Sequence, residues 1–206
     1  MKLLLTSDIH SDLEKFKKIL ETVEFDVLLI AGDLTNFSRE DVITIDQIIS
    51  DKGIECYAVH GNCDYEEILN YNLNNIQFLH GESVEVDNFS LHGLGGSLKT
   101  PFNTLSEYSE EEYAKLISGF ELSDFNVLLS HCPAKGRLDR TRYGLNIGSE
   151  EIAKNLHKFD VAVSGHVHES FGIQGGKILS INPGPVMWGM FATLELPRVD
   201  VRLDRI

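Results

Sequence analysis

The sequence is poor in cysteine and in long apolar runs. Its 206 residues include three cysteines, which are too few and too scattered to form a disulfide framework. No stretch reaches the roughly 18 apolar residues that a transmembrane helix needs. The apolar run at the start of the chain is interrupted by Asp8, which is unlike a secretory signal. We therefore expect a cytoplasmic protein with reduced cysteines and no membrane partner.

Basic residues are also scarce. The chain has 18 lysines and arginines against 32 aspartates and glutamates, a formal net charge of −14. Such a balance disfavours broad electrostatic binding to nucleic acids or to an anionic membrane. It does not exclude a small anionic substrate, because bound cations can invert the local field.

The first half of the chain alternates strand-like and helix-like patterns, which predicts parallel strands joined by right-handed crossovers. The predicted strands here are residues 2–7, 26–31 and 54–60, and the predicted helices are 11–22, 38–50 and 65–70. Later strands are short and separated by turn residues, which indicates mixed sheets. They are residues 76–79, 82–86, 89–92, 125–130 and 160–164, with helices at 109–119 and 149–157 and loops at 93–104 and 133–149. We expect an α/β fold that forms a single domain over residues 1–206.

Five of the apolar runs end in residue types that bind metal ions. The endings are Asp8 with His10, Asp33, Asn62, His131, and His166 with His168. Open α/β folds place their sites at the carboxyl ends of strands, so these seven side chains should converge on one edge. A cluster of carboxylate, imidazole and amide groups suits two divalent cations. Asp33 has two oxygens with which it could bridge them.

These residues stand in five short motifs: D-x-H (8–10), G-D (32–33), G-N-C-D (61–64), S-H-C-P (130–133) and G-H-V-H (165–168). In this order they resemble the motifs of the calcineurin-like metallophosphoesterase superfamily. The segment ILSINPGPV (178–186) is similar to the small, Icc-related prokaryotic branch. Several ordered motifs are far more specific than any one of them alone. The resemblance implies a four-layer αββα sandwich, with two mixed sheets flanked by helices.

The resemblance also implies a ligand set and a reaction. The first cation would take Asp8, His10 and His168, the second would take Asn62, His131 and His166, and Asp33 would bridge the two. A hydroxide between the ions would attack the phosphorus in line, with Asp33, Asn62 and His131 as catalytic residues. Manganese is the expected metal, although these ligand types also accept Fe, Ni, Co and Zn.

Cys63 is the departure from the family pattern, since the widespread form of this motif reads G-N-H-[DE]. A thiol has no positively charged form and replaces an imidazolium poorly. We therefore expect a phosphodiesterase, because a diester carries less charge than a monoester. One alternative is a phosphomonoesterase or nucleotide phosphatase of the same family. Another is a scaffold that keeps the fold without catalysis, as the retromer member of this superfamily does.

The loop at residues 133–149 is locally basic in this acidic chain. Arg137 and Arg140 are the candidate substrate-binding residues, because guanidinium groups suit phosphate oxygens. The alternative is a solvated loop that makes surface ion pairs. We expect the partner to be a small phosphate ester rather than a nucleic acid. The oligomeric state stays open, a homodimer included.

Four other residues near the motifs have two interpretations each. Asp64 could orient a catalytic group, but the cap of the following helix is favoured. Cys63 could be a ligand or a reactive thiol, although a small packing residue is favoured. His60 could support the metal ligands from behind, but a structural role is favoured. His92 could face the substrate or end a strand with a hydrogen bond.

Overall fold

A computed structural model describes residues 1–206. In chain order the strands are β1 (Lys2–Thr6), β2 (Val27–Ala31), β3 (Glu55–Val59), β4 (Ile76–Phe78), β5 (Ser83–Val86), β6 (Phe89–Leu94), β7 (Ser97–Leu98), β8 (Glu107–Tyr108), β9 (Asn126–Ser130), β10 (Val161–Ser164), β11 (Gly172–Gln174), β12 (Leu179–Asn182), β13 (Met190–Glu195) and β14 (Asp200–Arg205). The α-helices are α1 (Leu13–Thr22), α2 (Glu40–Asp51), α3 (Glu110–Ser118) and α4 (Glu150–Asn155). Short 3₁₀ helices lie at Glu66–Asn70, Leu156–Lys158, His168–Ser170 and Val186–Trp188.

Twelve of the strands form two six-stranded mixed sheets. The first has the order β14-β13-β1-β2-β3-β4 and the second has the order β11-β12-β10-β9-β6-β5. Within the first sheet β1 to β4 are parallel, whereas β13 runs antiparallel to β1. Within the second, β6, β9, β10 and β12 are parallel and the two edge strands are antiparallel. The parallel strands of each sheet therefore present their carboxyl ends at one edge.

Alternating side chains of the central strands divide the apolar core into three layers. Leu3, Leu5 and Leu29 of the first sheet pack against Leu129 and Val163 of the second. On the outer face of the first sheet, Leu4, Leu28 and Ile30 pack against Phe16 of α1 and Ile45 of α2. On the outer face of the second, Leu128 and Ala162 pack against Tyr113 of α3 and Ile152 of α4. This arrangement confirms the predicted αββα sandwich.

Several predicted elements have different limits or a different type. The predicted helix at 65–70 is a 3₁₀ helix, and the one at 149–157 is α4 followed by a second 3₁₀ helix. The loop predicted at 93–104 contains the end of β6 and the short β7, which pairs with β8. Gly93, Gly95 and Gly96 interrupt the apolar pattern there, since glycine is depleted in strands. None of the helices has the length and apolar character that a membrane span requires.

Candidate metal centre

The carboxyl ends of β1, β2, β3, β9 and β10 meet where the two sheets adjoin. The structure brings together all seven residues predicted as ligands: Asp8, His10, Asp33, Asn62, His131, His166 and His168. A direct hydrogen bond joins the sheets at this seam. Nδ1 of His131, which follows β9, lies 2.8 Å from the carbonyl oxygen of Ala31 at the end of β2. Within the second sheet, the amide of Gly165 after β10 donates to the carbonyl oxygen of His131 after β9 over 3.2 Å.

Asp8, His10 and His168 form one half of the cluster. Nε2 of His168 lies 3.2 Å from Oδ1 of Asp8 and 3.3 Å from Nε2 of His10. The ligand atoms of the three residues all lie within 4.8 Å of one another. This group presents one carboxylate and two imidazoles to a common point, which is a donor set that divalent transition metals accept.

Asn62, His131 and His166 form the other half. Nε2 of His131 lies 3.0 Å from Oδ1 of Asn62. The rings of His131 and His166 meet edge to face, with their centroids 5.0 Å apart. The amide of His166 donates to Oδ1 of Asp8 over 3.2 Å, so the second half is tied directly to the first.

Asp33 lies between the two halves and is 3 % exposed. Its Oδ2 is 3.5 Å from Nε2 of His10, and its Oδ1 is 3.5 Å from Nε2 of His131. The amide of Cys63 donates to Oδ1 over 2.8 Å. One carboxylate thus faces one imidazole of each half, which is the position that a bridging ligand requires.

The backbone at these strand ends is strained. Asp8, His10, Asp33 and His166 have φ values of 52°, 46°, 49° and 68°, a left-handed conformation that costs about 1–2 kcal/mol for each non-glycine residue. The amides of Asp8 and His10 donate to the carbonyl oxygens of Gly32 and Asp33, each over 3.0 Å, and these bonds hold the turns in register. Strain of this kind clusters at functional sites.

Two observations show that the cluster fits cations. Oδ2 of Asp8 is buried and has no hydrogen-bond partner, which is costly for a carboxylate oxygen unless a cation binds it. Because Nδ1 of His131 faces a carbonyl oxygen, it carries a proton, and a neutral ring then directs the Nε2 lone pair at oxygens of Asn62 and Asp33. A positive charge at that point, carried by a proton or by a bound cation, makes the arrangement favourable.

The pKa directions agree with this demand for positive charge. Burial opposes ionisation of Asp33, but His131 and His10 outweigh it and lower the pKa of this carboxyl. Burial likewise opposes protonation of His131, but Asp33 outweighs it and raises the pKa of the imidazole to about 9. The pKa of His168 is raised because the effect of Asp8 exceeds that of burial. Burial and the neighbouring His131 lower the pKa of His166 to about 4.

Comparison with known proteins identifies the family. A model of the calcineurin-like phosphoesterase family matches residues 1–170. An uncharacterised protein of Methanocaldococcus jannaschii, MJ1162, is 34 % identical over 208 residues, which cover 94 % of this chain and 92 % of that protein. This chain belongs to the calcineurin-like phosphoesterase family. Membership supports metal-dependent hydrolysis of phosphoesters, and members generally bind two divalent metal ions.

Two further similarities are more distant. The crystal structure of TT1561 of Thermus thermophilus superposes with a TM-score of 0.73 and 19 % identity, covering 99 % of this chain and 98 % of that chain. This match shows the shared fold. The SbcD component of the SbcCD nuclease of Staphylococcus epidermidis is 26 % identical over 197 residues, covering 81 % of this chain. This chain spans 52 % of that protein's length.

Asp64 has a role in this phosphoesterase that the sequence pattern did not reveal. Its carboxylate accepts hydrogen bonds from the amides of Leu34, Thr35 and Gly61 and from the Thr35 hydroxyl, over 2.8–3.0 Å. The favoured interpretation of Asp64 as a helix cap was wrong, because the 3₁₀ helix after it has no side-chain cap. Asp64 instead binds the loop that carries Asp33 to the loop that carries Asn62.

Cys63 belongs to the site rather than serving only as a small packing residue. Its sulfur lies within 4.8 Å of ligand atoms of His10 and Asp33, and Nδ2 of Asn62 lies 3.6 Å from it. Burial and the negative charge of Asp33 raise the pKa of the thiol. The group therefore stays neutral and is a poor nucleophile at neutral pH.

The two candidate substrate-binding arginines occupy different positions relative to the metal cluster. The guanidinium of Arg137 donates over 3.0 Å to the carbonyl oxygen of Gly175, in the turn between β11 and β12. This turn is at the end of β12 opposite Asn182, whose side chain binds the carbonyl oxygen of Val167 beside the cluster. The position argues against the predicted phosphate contact of Arg137. The backbone of Arg140 contacts Ser170, two residues after His168, and its substrate contact stays a prediction.

The histidines outside the cluster have structural contacts. His92 is buried between Ser83 and Asn126, which bind its two ring nitrogens, so it is a packed strand residue and does not face the site. His60 is buried with Nε2 2.9 Å from the hydroxyl of Tyr108, and burial lowers its pKa to about 3. Both contacts agree with structural roles.

We expect the substitution Asp33→Asn to abolish binding of the cation pair. The change removes the charge that faces both halves of the cluster, and an amide bridges two cations poorly. Metal content after dialysis against Mn²⁺ should fall from two equivalents to below one. The exposed Asp204→Asn variant is the matched control and should retain two. Equal metal content in all three proteins would contradict the bridging role.

Affinity for Mn²⁺ should rise with pH between about pH 6 and about pH 8, by up to tenfold per pH unit for each proton displaced. The raised pKa values of His131 and His168 mean that metal-free protein holds protons there, which a cation must displace. His166, whose pKa is about 4, adds no dependence in this range. Competition titrations against a metal indicator at the two pH values measure the effect. A pH-independent affinity would count against these residues as ligands.

Proposed function

We propose that the protein is a dinuclear metal-dependent phosphodiesterase that acts on a small phosphate diester. In this proposal Asp8, His10 and His168 hold the first cation, Asn62, His131 and His166 hold the second, and Asp33 bridges them. The observation that carries the proposal is the position of Asp33 between the two halves, with one oxygen facing His10 and the other facing His131. Manganese is the expected metal, and Fe, Ni, Co and Zn are alternatives that this mixture of oxygen and imidazole ligands also accepts.

The residues of the chain supply positioning and charge. Two bound cations would activate a water molecule and stabilise negative charge on the phosphoryl oxygens. The Ala31 carbonyl fixes the orientation of the His131 ring, and Asp64 fixes the separation of the loops that carry Asp33 and Asn62. Asn62 offers an oxygen without adding negative charge. Such preorganisation lowers the barrier for an in-line displacement.

Cys63 favours diesters over monoesters. A monoester dianion and its leaving oxygen benefit from a cationic or acidic donor, which the histidine of the widespread family motif can supply. The thiol of Cys63 has no cationic form, and burial raises its pKa. A diester carries a single negative charge and depends less on such a donor. The proposal of diester hydrolysis rests on this difference.

The proposal concerns a small substrate rather than a nucleic acid. This chain spans only 52 % of the length of the nuclease relative, and the net charge of −14 disfavours binding to a long polyanion. The three cysteines are free and buried, which agrees with a protein that works in the cytoplasm.

With Mn²⁺ bound, the protein should hydrolyse bis(p-nitrophenyl) phosphate with a higher kcat/KM than p-nitrophenyl phosphate. Replacing Cys63 by histidine should raise kcat/KM for the monoester by about 10²-fold, the usual scale of a positioned general acid. Cys63→Ser is the matched control, because it changes the size and polarity of the residue without adding a cationic form.

Three outcomes would count against the proposal in different ways. A clear monoester preference of the natural protein would favour the phosphomonoesterase alternative. Turnover of neither ester by protein that holds two metal equivalents would favour a non-catalytic scaffold. An equal gain in Cys63→Ser and Cys63→His would show that the thiol does not determine the preference.

A further inference from the structure

A cleft of about 450 Å³ opens beside the candidate metal centre. Its floor includes Asn62 and His166, two residues of the second half of the cluster. One wall is the loop at residues 98–102, and the other is the segment at residues 141–147. The cleft is therefore continuous with the place where a phosphoryl group would bind.

The wall at residues 98–102 is held in place from within the fold. The carboxylate of Glu107 accepts hydrogen bonds from the hydroxyl of Thr100 and from the amide and hydroxyl of Thr104, over 2.5–2.8 Å. The amides of Leu105 and Ser106 donate to the carbonyl oxygen of Asn62, over 2.9 and 3.3 Å. This wall is thus fixed relative to a residue of the metal cluster.

The opposite wall is a hairpin-like arm. Its base is the buried carboxylate of Asp139, which accepts hydrogen bonds from the side chain of Asn146 and the amide of Gly148, each over 3.0 Å. At its tip the amide of Thr141 donates to the carbonyl oxygen of Leu145 over 2.8 Å. An ordered turn therefore presents the side chains of Tyr143, Leu145 and Ile147 to the cleft.

Large apolar side chains on the two walls are accessible. Phe102 is 82 % exposed, Tyr143 is 76 % exposed and Leu145 is 63 % exposed. Large apolar side chains are rarely grouped on the surface of a protein without a binding role. Here they stand on both sides of a cleft that ends at metal-ligand residues, which is the usual composition of a small-molecule site.

The cleft carries almost no net charge. Lys99 and Glu169 are its charged lining residues, and Glu169 already accepts a hydrogen bond from the amide of Arg142 over 2.6 Å. Among the residues that line the cleft, a second phosphate, a polyphosphate or the next nucleotide of a nucleic acid would meet one lysine and one carboxylate. The nearby guanidinium of Arg142 lies over the ring of Tyr143, 4.9 Å from its centroid. The lining fits an uncharged organic group.

We propose that this cleft binds the organic group of the substrate, and that this group is apolar and contains an aromatic ring. Phe102 and Leu145 contact the ring from opposite walls while the phosphoryl group lies at Asn62 and His166. The inference deepens the proposed function and rests on it. It assigns specificity to two loops outside the five metal motifs.

The test compares two phosphonates that differ only in their organic group. Calorimetric titration of the Mn²⁺-loaded protein with phenylphosphonate and with methylphosphonate measures binding without turnover. We expect phenylphosphonate to bind about tenfold more tightly, because an aromatic ring leaves water for a half-open apolar surface. Phe102→Ala and Leu145→Ala should each reduce this ratio several-fold and leave the affinity for methylphosphonate unchanged. Leu122→Ala, which removes a 49 % exposed side chain outside the cleft, is the matched control and should keep the ratio.

The results separate failure of the cleft from failure of the metal site. Equal affinity for the two phosphonates would overturn the subsite and leave the metal site intact. A tenfold preference that persists in both Phe102→Ala and Leu145→Ala would also overturn it, because the ring would then bind elsewhere. Binding of neither phosphonate by protein that holds two Mn²⁺ equivalents would overturn the phosphoryl position at Asn62 and His166, and the subsite with it. Protein that fails to hold two equivalents would overturn the dinuclear phosphoesterase itself.

Discussion

The buried carboxylate of Asp33 is the constraint on which the rest of the site depends. A carboxylate that is 3 % exposed is stable only if positive charge and hydrogen-bond donors surround it. The fold supplies the amide of Cys63 from the loop after β3 and imidazoles from the loops after β1 and β9. Because these loops belong to both sheets, the charge of one residue couples the two halves of the sandwich at this edge.

Close packing around Asp33 explains why particular small residues flank the motifs. A Cβ atom at Gly61 would collide with the Asp33 carboxylate, and one at Gly32 would collide with the ring of His131. Gly32 also has a φ of +83°, a conformation that glycine adopts without strain. The side chains that bind the cations thus approach one another only because the neighbouring backbone carries no side chain. Asp64 binds the backbone of the loops that carry Asp33 and Asn62, and Asn182 binds the backbone of Val167, between His166 and His168. Residues around metal ligands commonly support them in this way.

The fold and the cluster were largely predictable from the sequence. Runs such as Val27–Ala31 are apolar on both faces because the sheet they belong to is covered on both sides, and their ends mark the site. The role of Asp64 in holding the loop of Asp33 was not predictable. Its carboxylate binds the backbone amides of Leu34 and Thr35, which are about thirty residues away in the chain. The local sequence instead favoured Asp64 as the N-cap of the helix that follows it.

The cleft walls were also missed, for a different reason. Phe102, Tyr143 and Leu145 lie in loops without helical or strand periodicity, so no sequence pattern relates them. Only the folded chain brings residues 98–102 opposite residues 141–147. The positive charge of the arginines in the segment at residues 133–149 predicted a phosphate contact. In the structure, however, Arg137 donates to the carbonyl oxygen of Gly175, in the turn between β11 and β12. Charge composition pointed to the segment that contains Arg140 and one wall of the cleft, but it gave no sign of the apolar side chains there.

The central claim is that the strand ends hold two cations on either side of Asp33. Anomalous diffraction at the manganese absorption edge, from crystals grown with Mn²⁺, tests it most directly. Two peaks about 3.5–4 Å apart, one near Asp8, His10 and His168 and the other near Asn62, His131 and His166, are the predicted result. A single peak, or peaks away from Asp33, would contradict the account.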